Sequence, residues 1–314
     1  MWNLDSAPPQ LIEARVLTRL PDSLRNRRRT DWADANKPGH ELDSFLEGPS
    51  FDREGNLYVT DIPFGRILRI TPALEWQLVA EYDGWPNGIA IHKDGSLWIA
   101  DYRRGLLKVG VSSRTPDRTT IRDPLPILLH RNSESFKGLN DLTFDRDGNC
   151  YFTDQGQTGL HDPTGRVYRY RPAGQLDCLL ANVPSPNGIA LDSTGRVLFV
   201  AVTRANAVWR GPLLADGAVS KIGAFRTFFG ASGPDGMAVD VENRLVVAHA
   251  SLGGAFVLNA RGEVTHFVKS PAGSTVTNVA YRPGTRKVVM TESETGSILE
   301  AELPAPGLPL YSHA

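Results

Sequence analysis

Apolar residues in this chain alternate with polar ones in short runs of four to six, and no run keeps a helical period over a useful length. Alternation with period two, interrupted by Gly, Asp and Asn, predicts strands joined by tight turns. One stretch built this way recurs six times. It starts at Glu47 (EGPSFDREGNLYVTD), Asn87 (NGIAIHKDGSLWIAD), Asn140 (NDLTFDRDGNCYFTD), Asn187 (NGIALDSTGRVLFVA), Asp235 (DGMAVDVENRLVVAH) and, in a worn copy one residue longer, Thr277 (TNVAYRPGTRKVVMTE). Successive starts lie 40, 53, 47, 48 and 42 residues apart, a spacing typical of propellers and solenoids. Each copy reads as a β-hairpin: a polar residue, usually a Gly, an apolar run, a turn, and a second run of Val, Tyr, Phe and Leu. Six such units, each completed to four strands and closed in a ring, predict an all-β fold, a six-bladed β-propeller. A parallel β-helix is the structural alternative, but its repeats are shorter.

The outer strands are expected at 65–70 and 76–81, 105–109, 165–170 and 177–180, 207–210, and 255–258 with 264–268. Residues 1–46 precede the first repeat. A strand at Arg15–Leu20 is expected to pair with Ser297–Leu303 and close the last blade, so the whole chain, 1–314, is expected to be one propeller domain. A longer connection at 112–138 accounts for the 53-residue interval. With the loops at 21–45 and 155–165, it is expected to shape a binding mouth. The Pro-rich C-terminal segment is expected on the surface.

Rotation about one axis would put the first residues of the six copies on a ring lining the channel: Glu47, Asn87, Asn140, Asn187, Asp235 and Thr277. Two carboxylates and three carboxamides aimed at one axis suit a hard divalent cation such as calcium. A single Asn-Gly would indicate only a turn; five acid or amide residues in six matched positions favour the metal.

Composition narrows the class. The chain has 314 residues, 41% hydrophobic and 22% charged, with 30 Gly and 22 Pro and a net charge of −1. The balanced charge gives no sign of attraction to nucleic acid or membrane, and the cluster Arg25–Arg29 reads best as a solvated loop. Cys150 and Cys178 show no metal spacing and no disulfide framework, and Cys150 reads as a small buried apolar residue. With no apolar stretch of membrane-spanning length and no secretory pattern at the start, a cytoplasmic location is expected. The oligomeric state is left open.

The motifs Glu47-Gly48-Pro49, Leu139-Asn140-Asp141, Pro186-Asn187-Gly188 and Pro234-Asp235-Gly236-Met237 occur in this order at the first, third, fourth and fifth repeats. At these residues the chain resembles the gluconolactonase family, which includes regucalcin (senescence marker protein) and diisopropylfluorophosphatase, over nearly its whole length from about residue 40. The resemblance implies a six-bladed propeller with one catalytic divalent metal in the channel, most often calcium, with zinc and manganese as alternatives. It implies metal ligands at Glu47, Asn187 and Asp235. Asn140 matches a position that ligates the metal in some members and touches substrate in others. Family members hydrolyse sugar lactones, and some cleave organophosphates, so a small-molecule lactone is the implied substrate. The alternatives are another ester or phosphate triester, or a calcium-binding propeller without catalysis. Asp235 would act as ligand and as general base or base-positioning group, with direct nucleophilic attack a further alternative.

Some family members hold substrate with an Arg just before the Asn-Asp pair. Here Lys137 stands near that place, which puts aldonolactone specificity in question. Asn87 joins the site on the ring argument alone. His249 and Asp154, each closing the second strand of its repeat, are further candidates for substrate contacts, with Gln155, Tyr102 and Trp85 behind them; for each, packing is the competing role.

Overall fold

The computed structural model describes residues 7–110 and 120–313. Six antiparallel sheets surround a central channel. Blade one comprises Leu46–Phe51, Leu57–Asp61, Arg66–Ile70 and Trp76–Glu81. Blade two comprises Pro86–Ile91, Leu97–Asp101, Gly105–Val109 and Leu125–Leu128. Blade three comprises Leu139–Phe144, Cys150–Asp154, Gly165–Tyr170 and Leu176–Val183. Blade four comprises Pro186–Leu191, Val197–Val202, Ala207–Pro212 and Gly223–Thr227. Blade five comprises Pro234–Val239, Leu245–His249, Gly254–Leu258 and Val264–Lys269. Blade six comprises Val276–Tyr281, Lys287–Glu292 and Ser297–Glu302, and Arg15–Arg19 is its outermost strand, pairing antiparallel with Ser297–Glu302. Gln10–Glu13 adds a parallel edge to blade five, so the N-terminal segment ties two blades together.

Two segments depart from the expectations above. Of the long connection at 112–138, residues 112–119 lie outside the described set. The remainder is not only loop: it supplies the fourth strand of blade two and a small hairpin, His130–Arg131 with Glu134–Ser135. Pro126 sits on that outermost strand, where a missing N–H is tolerated. The C-terminal segment does not lie free on the surface. It crosses one end of the channel, held by Val241 N–H donating to Pro306 O at 3.0 Å, Leu308 N–H to Val239 O at 2.9 Å and Arg53 Nε to Ser312 O at 2.6 Å. Tyr311 is buried there against Phe144.

Apolar side chains pack between neighbouring sheets. Leu46, Val59 and Leu68 of blade one meet Val289 and Ile298 of blade six, which seals the ring where its first and last blades join. Cys150 is fully buried in the cluster with Phe152 and Tyr168, and both cysteines are free thiols. No helix among the described residues is long and apolar enough to cross a membrane.

Along the channel the inner strands share one register. A β-bulge falls in every one of them, between Glu47 and Ser50, Pro86 and Ile89, Leu139 and Leu142, Pro186 and Ile189, Pro234 and Met237, and Val276 and Asn278. A bulge re-aims the side chain it carries. Here it does so at the same height in all six blades. Three residues beyond the start of each repeat the side chain is small: Ser50, Ala90, Thr143, Ala190, Ala238 and Ala280 all line a cavity of about 510 Å³ that the C-terminal segment bounds.

The N-terminal segment buries Ile12, Ala14, Val16 and Leu17 against blades five and six. A chain lacking residues 1–19 is expected to lose on the order of 4 kcal/mol of stability and to expose the edge of Ser297–Glu302. Urea unfolding should show a lower midpoint and light scattering should show association rising with concentration; an unchanged midpoint would mean that the ring closes without this strand.

Candidate active site at the channel mouth

At the bulge level neighbouring inner strands nearly touch. A methyl group at Gly48 would overlap the carbonyl oxygen of Asn87, and one at Gly188 would overlap the carbonyl of Asp235. Gly48 also has φ +55°, a left-handed conformation that glycine adopts without a steric cost. Hydroxyls lock the approach. Thr60 Oγ1 donates to Asn87 O at 2.7 Å, Thr153 Oγ1 to Asn187 O at 2.8 Å, Thr203 Oγ1 to Pro234 O at 2.8 Å and Thr277 Oγ1 to Leu46 O at 2.9 Å. Each bond runs from one blade to the inner strand of the next.

This packing brings Glu47, Asn140, Asn187 and Asp235 together as buried residues at the bulges, with Asn87 half-buried in the matching place. Thr277 turns its hydroxyl mainly to Leu46 O and to the Thr291 hydroxyl at 2.8 Å, and touches the lining only through a weak contact with Glu47. The next residue, Asn278, takes its place: Asn278 Nδ2 donates to Glu47 Oε2 at 2.8 Å, and Gly48 N–H donates to the same oxygen at 2.6 Å.

Asp141 and Asn278 were not singled out by the repeat pattern. Both occupy the position after the repeat start, where the other four blades have Gly48, Gly88, Gly188 and Gly236. They belong to blades three and six, which face each other across the ring. That departure from glycine was the available signal.

Three carboxyl groups therefore share one dehydrated shell. Burial, reinforced by the charge of Asp141, pushes Glu47 up to about 8 against the bonds from Asn278 and Gly48. Burial pushes Asp141 up to about 7. Burial and then the charges of Glu47 and Asp141 hold Asp235 well above the carboxylate range, opposed by a bond from Asn187 and by the charge of Arg204. A hard cation fits this set chemically, because every donor is oxygen and positive charge would relieve the mutual repulsion. The three carboxyl groups feel one another's charge without closing into a carboxylate-only metal cage among the described residues. A centre here has to draw on the carboxamide oxygens of Asn140 and Asn187.

The remaining candidates fall elsewhere. Asp154 is fully buried, with Oδ1 accepting from Gly138 N–H at 2.9 Å and burial pushing it up to about 6. It anchors a mouth loop through this bond. The same job falls to Asp61, accepting from Phe45 N–H at 2.8 Å, to Asp101, accepting from Arg104 N–H at 2.8 Å, and to Glu292, accepting from Glu294 N–H at 2.8 Å. His249 holds the matching place in blade five. It is fully buried between Phe228 and Phe256, with ring centroids 5.8 and 6.0 Å away, and its ring nitrogens make no hydrogen bond of good geometry among the described residues, the Phe229 backbone being their polar neighbour. It packs in the wall and is not presented at the rim. Lys137 is exposed beside Gly156 on the blade-three loop. Trp85 and Tyr102 meet in a tilted pair with ring centroids 5.4 Å apart, and Gln157 Nε2 donates to Tyr102 Oη at 3.1 Å, tying the blade-two and blade-three loops together.

A family model described as SMP-30/Gluconolactonase/LRE-like region matches residues 45–294, the span of all six repeats. The chain belongs to this family. Among its relatives are a lactonase drp35 from Staphylococcus aureus (strain MRSA252), 30% identical over 284 residues and 85% of this chain and 84% of that one. A second, from Staphylococcus epidermidis (strain ATCC 12228 / FDA PCI 1200), is 30% identical over 81% of this chain and 82% of its own. The solved structure of regucalcin from Agrobacterium tumefaciens str. C58, described as a calcium-binding protein, matches with a TM-score of 0.73 at 19% identity, covering 98% of this chain and 99% of that one. A gluconolactonase from Xanthomonas campestris matches with a TM-score of 0.72 at 20% identity, covering 96% and 99%. At these identities the two structures establish the fold alone. The six-bladed architecture is thus a family property, whereas the shell of Glu47, Asp141, Asp235 and Asn278 is described from this chain's own side chains.

Burial lowers His249 to about 4, below the roughly 6.5 of a solvated imidazole. The folded protein then binds fewer protons than the unfolded chain between those values. His249 therefore supports the fold above pH ~6.5, and this contribution declines toward pH ~4, by about 3 kcal/mol in all. His249→Phe, which suits the aromatic cluster, is expected to flatten stability against pH in that window. Urea unfolding at pH 7, 5.5 and 4.5 measures the difference; parallel profiles for both proteins would show that the imidazole is not held neutral.

Proposed function

We propose that this protein is a metal-dependent lactonase that opens a small lactone to the corresponding hydroxy acid. The observation that carries the reading is the buried shell of Glu47, Asn140, Asn187 and Asp235 at the bulges of the channel mouth, in a chain 30% identical to a lactonase over 85% of its length. In this reading Glu47, Asn187 and Asp235, with Asn140, hold one divalent cation, calcium by the all-oxygen donor set. Bound there, the cation would polarise the lactone carbonyl and acidify water.

The chain's own residues supply the rest. The Thr hydroxyls and glycine contacts fix the height of each ligand. Asn278 and Gly48 hold Glu47 Oε2 in place, leaving Oε1 for the cation. In this reading the water oxygen bonds to the lactone carbonyl carbon as Asp235 takes its proton at the carboxylate, the ring C–O bond then breaks, and Asp235 returns that proton to the alkoxide formed, giving the hydroxy acid. The deep burial of Asp235 raises its basicity once it is ionised. In this reading Lys137, with the Trp85 and Tyr102 pair on the neighbouring loop, contacts the substrate.

The test is proton release from a panel of lactones by metal-stripped protein, with calcium, manganese or zinc restored singly. Metal-dependent turnover on one group of lactones is expected, and Asp235→Asn is expected to lower kcat by at least about 10²-fold while keeping the circular dichroism spectrum. Near-normal turnover by Asp235→Asn removes the assigned base. Metal binding without turnover on any lactone, but with turnover on phosphate triesters or other esters, moves the substrate class; no turnover at all leaves a cation-binding propeller.

A further inference from the structure

Asn140 differs from the other shell residues in how its side chain is held. Its Nδ2 donates to Gln155 Oε1 at 2.8 Å, and Gln155 Nε2 donates to Ser185 Oγ at 2.9 Å. Ser185 is buried, and its N–H donates to Thr158 Oγ1 at 3.0 Å, while Thr158 Oγ1 donates back to Gln155 O at 2.6 Å. Gln155 is also tied through its backbone, with its N–H donating to Gly138 O at 2.8 Å, two residues before Asn140. The chain of bonds thus links the blade-three mouth loop to the inner strand of blade three and to the segment entering blade four.

A carboxamide has two faces of opposite chemistry, an acceptor oxygen and a donor NH2, and only the oxygen can ligate a cation. Packing barely distinguishes them, since the two groups have nearly the same shape. Their orientation has to come from hydrogen bonding. In the structure the acceptor Oε1 of Gln155 faces Nδ2, with Gln155 Nε2 given to the Ser185 hydroxyl, and Oδ1 of Asn140 accepts no hydrogen bond among the described residues.

We infer that Gln155 is a positioning residue, which orients Asn140 so that its carboxamide oxygen, and not its NH2, is presented to the cation. This rests on the reading of Asn140 as a ligand given above. Gln155 itself does not touch the cation or the substrate in this role. Outer groups that orient ligands typically change metal affinity by about 10- to 100-fold when removed.

The experiment is calorimetric titration of metal-stripped protein with calcium alone, with the melting temperature of each metal-free protein recorded alongside. Gln155→Leu is expected to raise the calcium Kd by about 10- to 100-fold. Gln155→Glu retains an acceptor for Asn140 Nδ2 and is expected to stay within about threefold of wild type or to bind more tightly. Ser185→Ala frees the far end of Gln155 and leaves the backbone bonds of the loop, so a smaller rise in Kd is expected; it serves as the test if Gln155→Leu does not fold. Wild-type affinity in Gln155→Leu, or in Ser185→Ala where that is the variant used, overturns the inference. So does an equal loss in the Leu and Glu variants accompanied by equal drops in melting temperature, which marks a loop-folding role. Wild-type protein that takes up no calcium removes the metal reading and this inference with it, whereas wild-type binding with an indifferent Gln155→Leu removes the inference alone.

Discussion

Six inner strands converge on one axis, and the closeness of their approach at one level constrains everything around it. The gap between Gly48 and the carbonyl of Asn87, or between Gly188 and the carbonyl of Asp235, has no room for a side-chain carbon. Bulges at the same level turn the preceding polar side chains out of the regular pleat. Hydroxyls of Thr60, Thr153, Thr203 and Thr277 then bridge each blade to the next. Local backbone irregularity and inter-blade bonding are therefore one device, and its product is a ring of polar side chains at a fixed height.

That geometry concentrates charge where water is scarce. Glu47, Asp141 and Asp235 are each shifted upward, first by burial and then, for Glu47 and Asp235, by one another. Isolated, such a group is costly. The structure offsets part of the cost with Asn278 and Gly48 on Glu47 and with Asn187 on Asp235. A cation bound among the oxygens would offset more, which is why the same shell that strains the fold suits a lactone-opening centre. The loops above it are held by a second set of buried carboxylates, at Asp61, Asp101, Asp154 and Glu292. Blade five breaks that set with His249, enclosed by phenylalanines.

Repeat phase carried much of this into plain view. Because every unit must present the same face to the axis, the polar residue that opens each copy is recoverable from spacing alone, and Glu47, Asn140, Asn187 and Asp235 follow from it. Asp154 and His249 illustrate where phase stops. Both close the second strand of a repeat, and a strand end near a channel can point to the mouth, into a loop or into the wall. Asp154 finds the Gly138 N–H, and His249 settles among aromatic rings beside the Phe229 backbone.

The alternation of apolar residues and the matched spacing of six hairpins determined the fold, because the period of a strand and the length of a blade are local properties of the chain. The motifs at the repeat starts determined which oxygen donors are available. Tertiary structure alone decided that Thr277 turns away and Asn278 turns in, that Asp141 and Asn278 meet across the ring from opposite blades, that Gln155 grips Asn140, and that the C-terminal segment crosses the channel. Each of these depends on contacts between residues of different blades, some more than 200 positions apart, and no local pattern encodes which atoms the closure of the ring will bring within bonding distance.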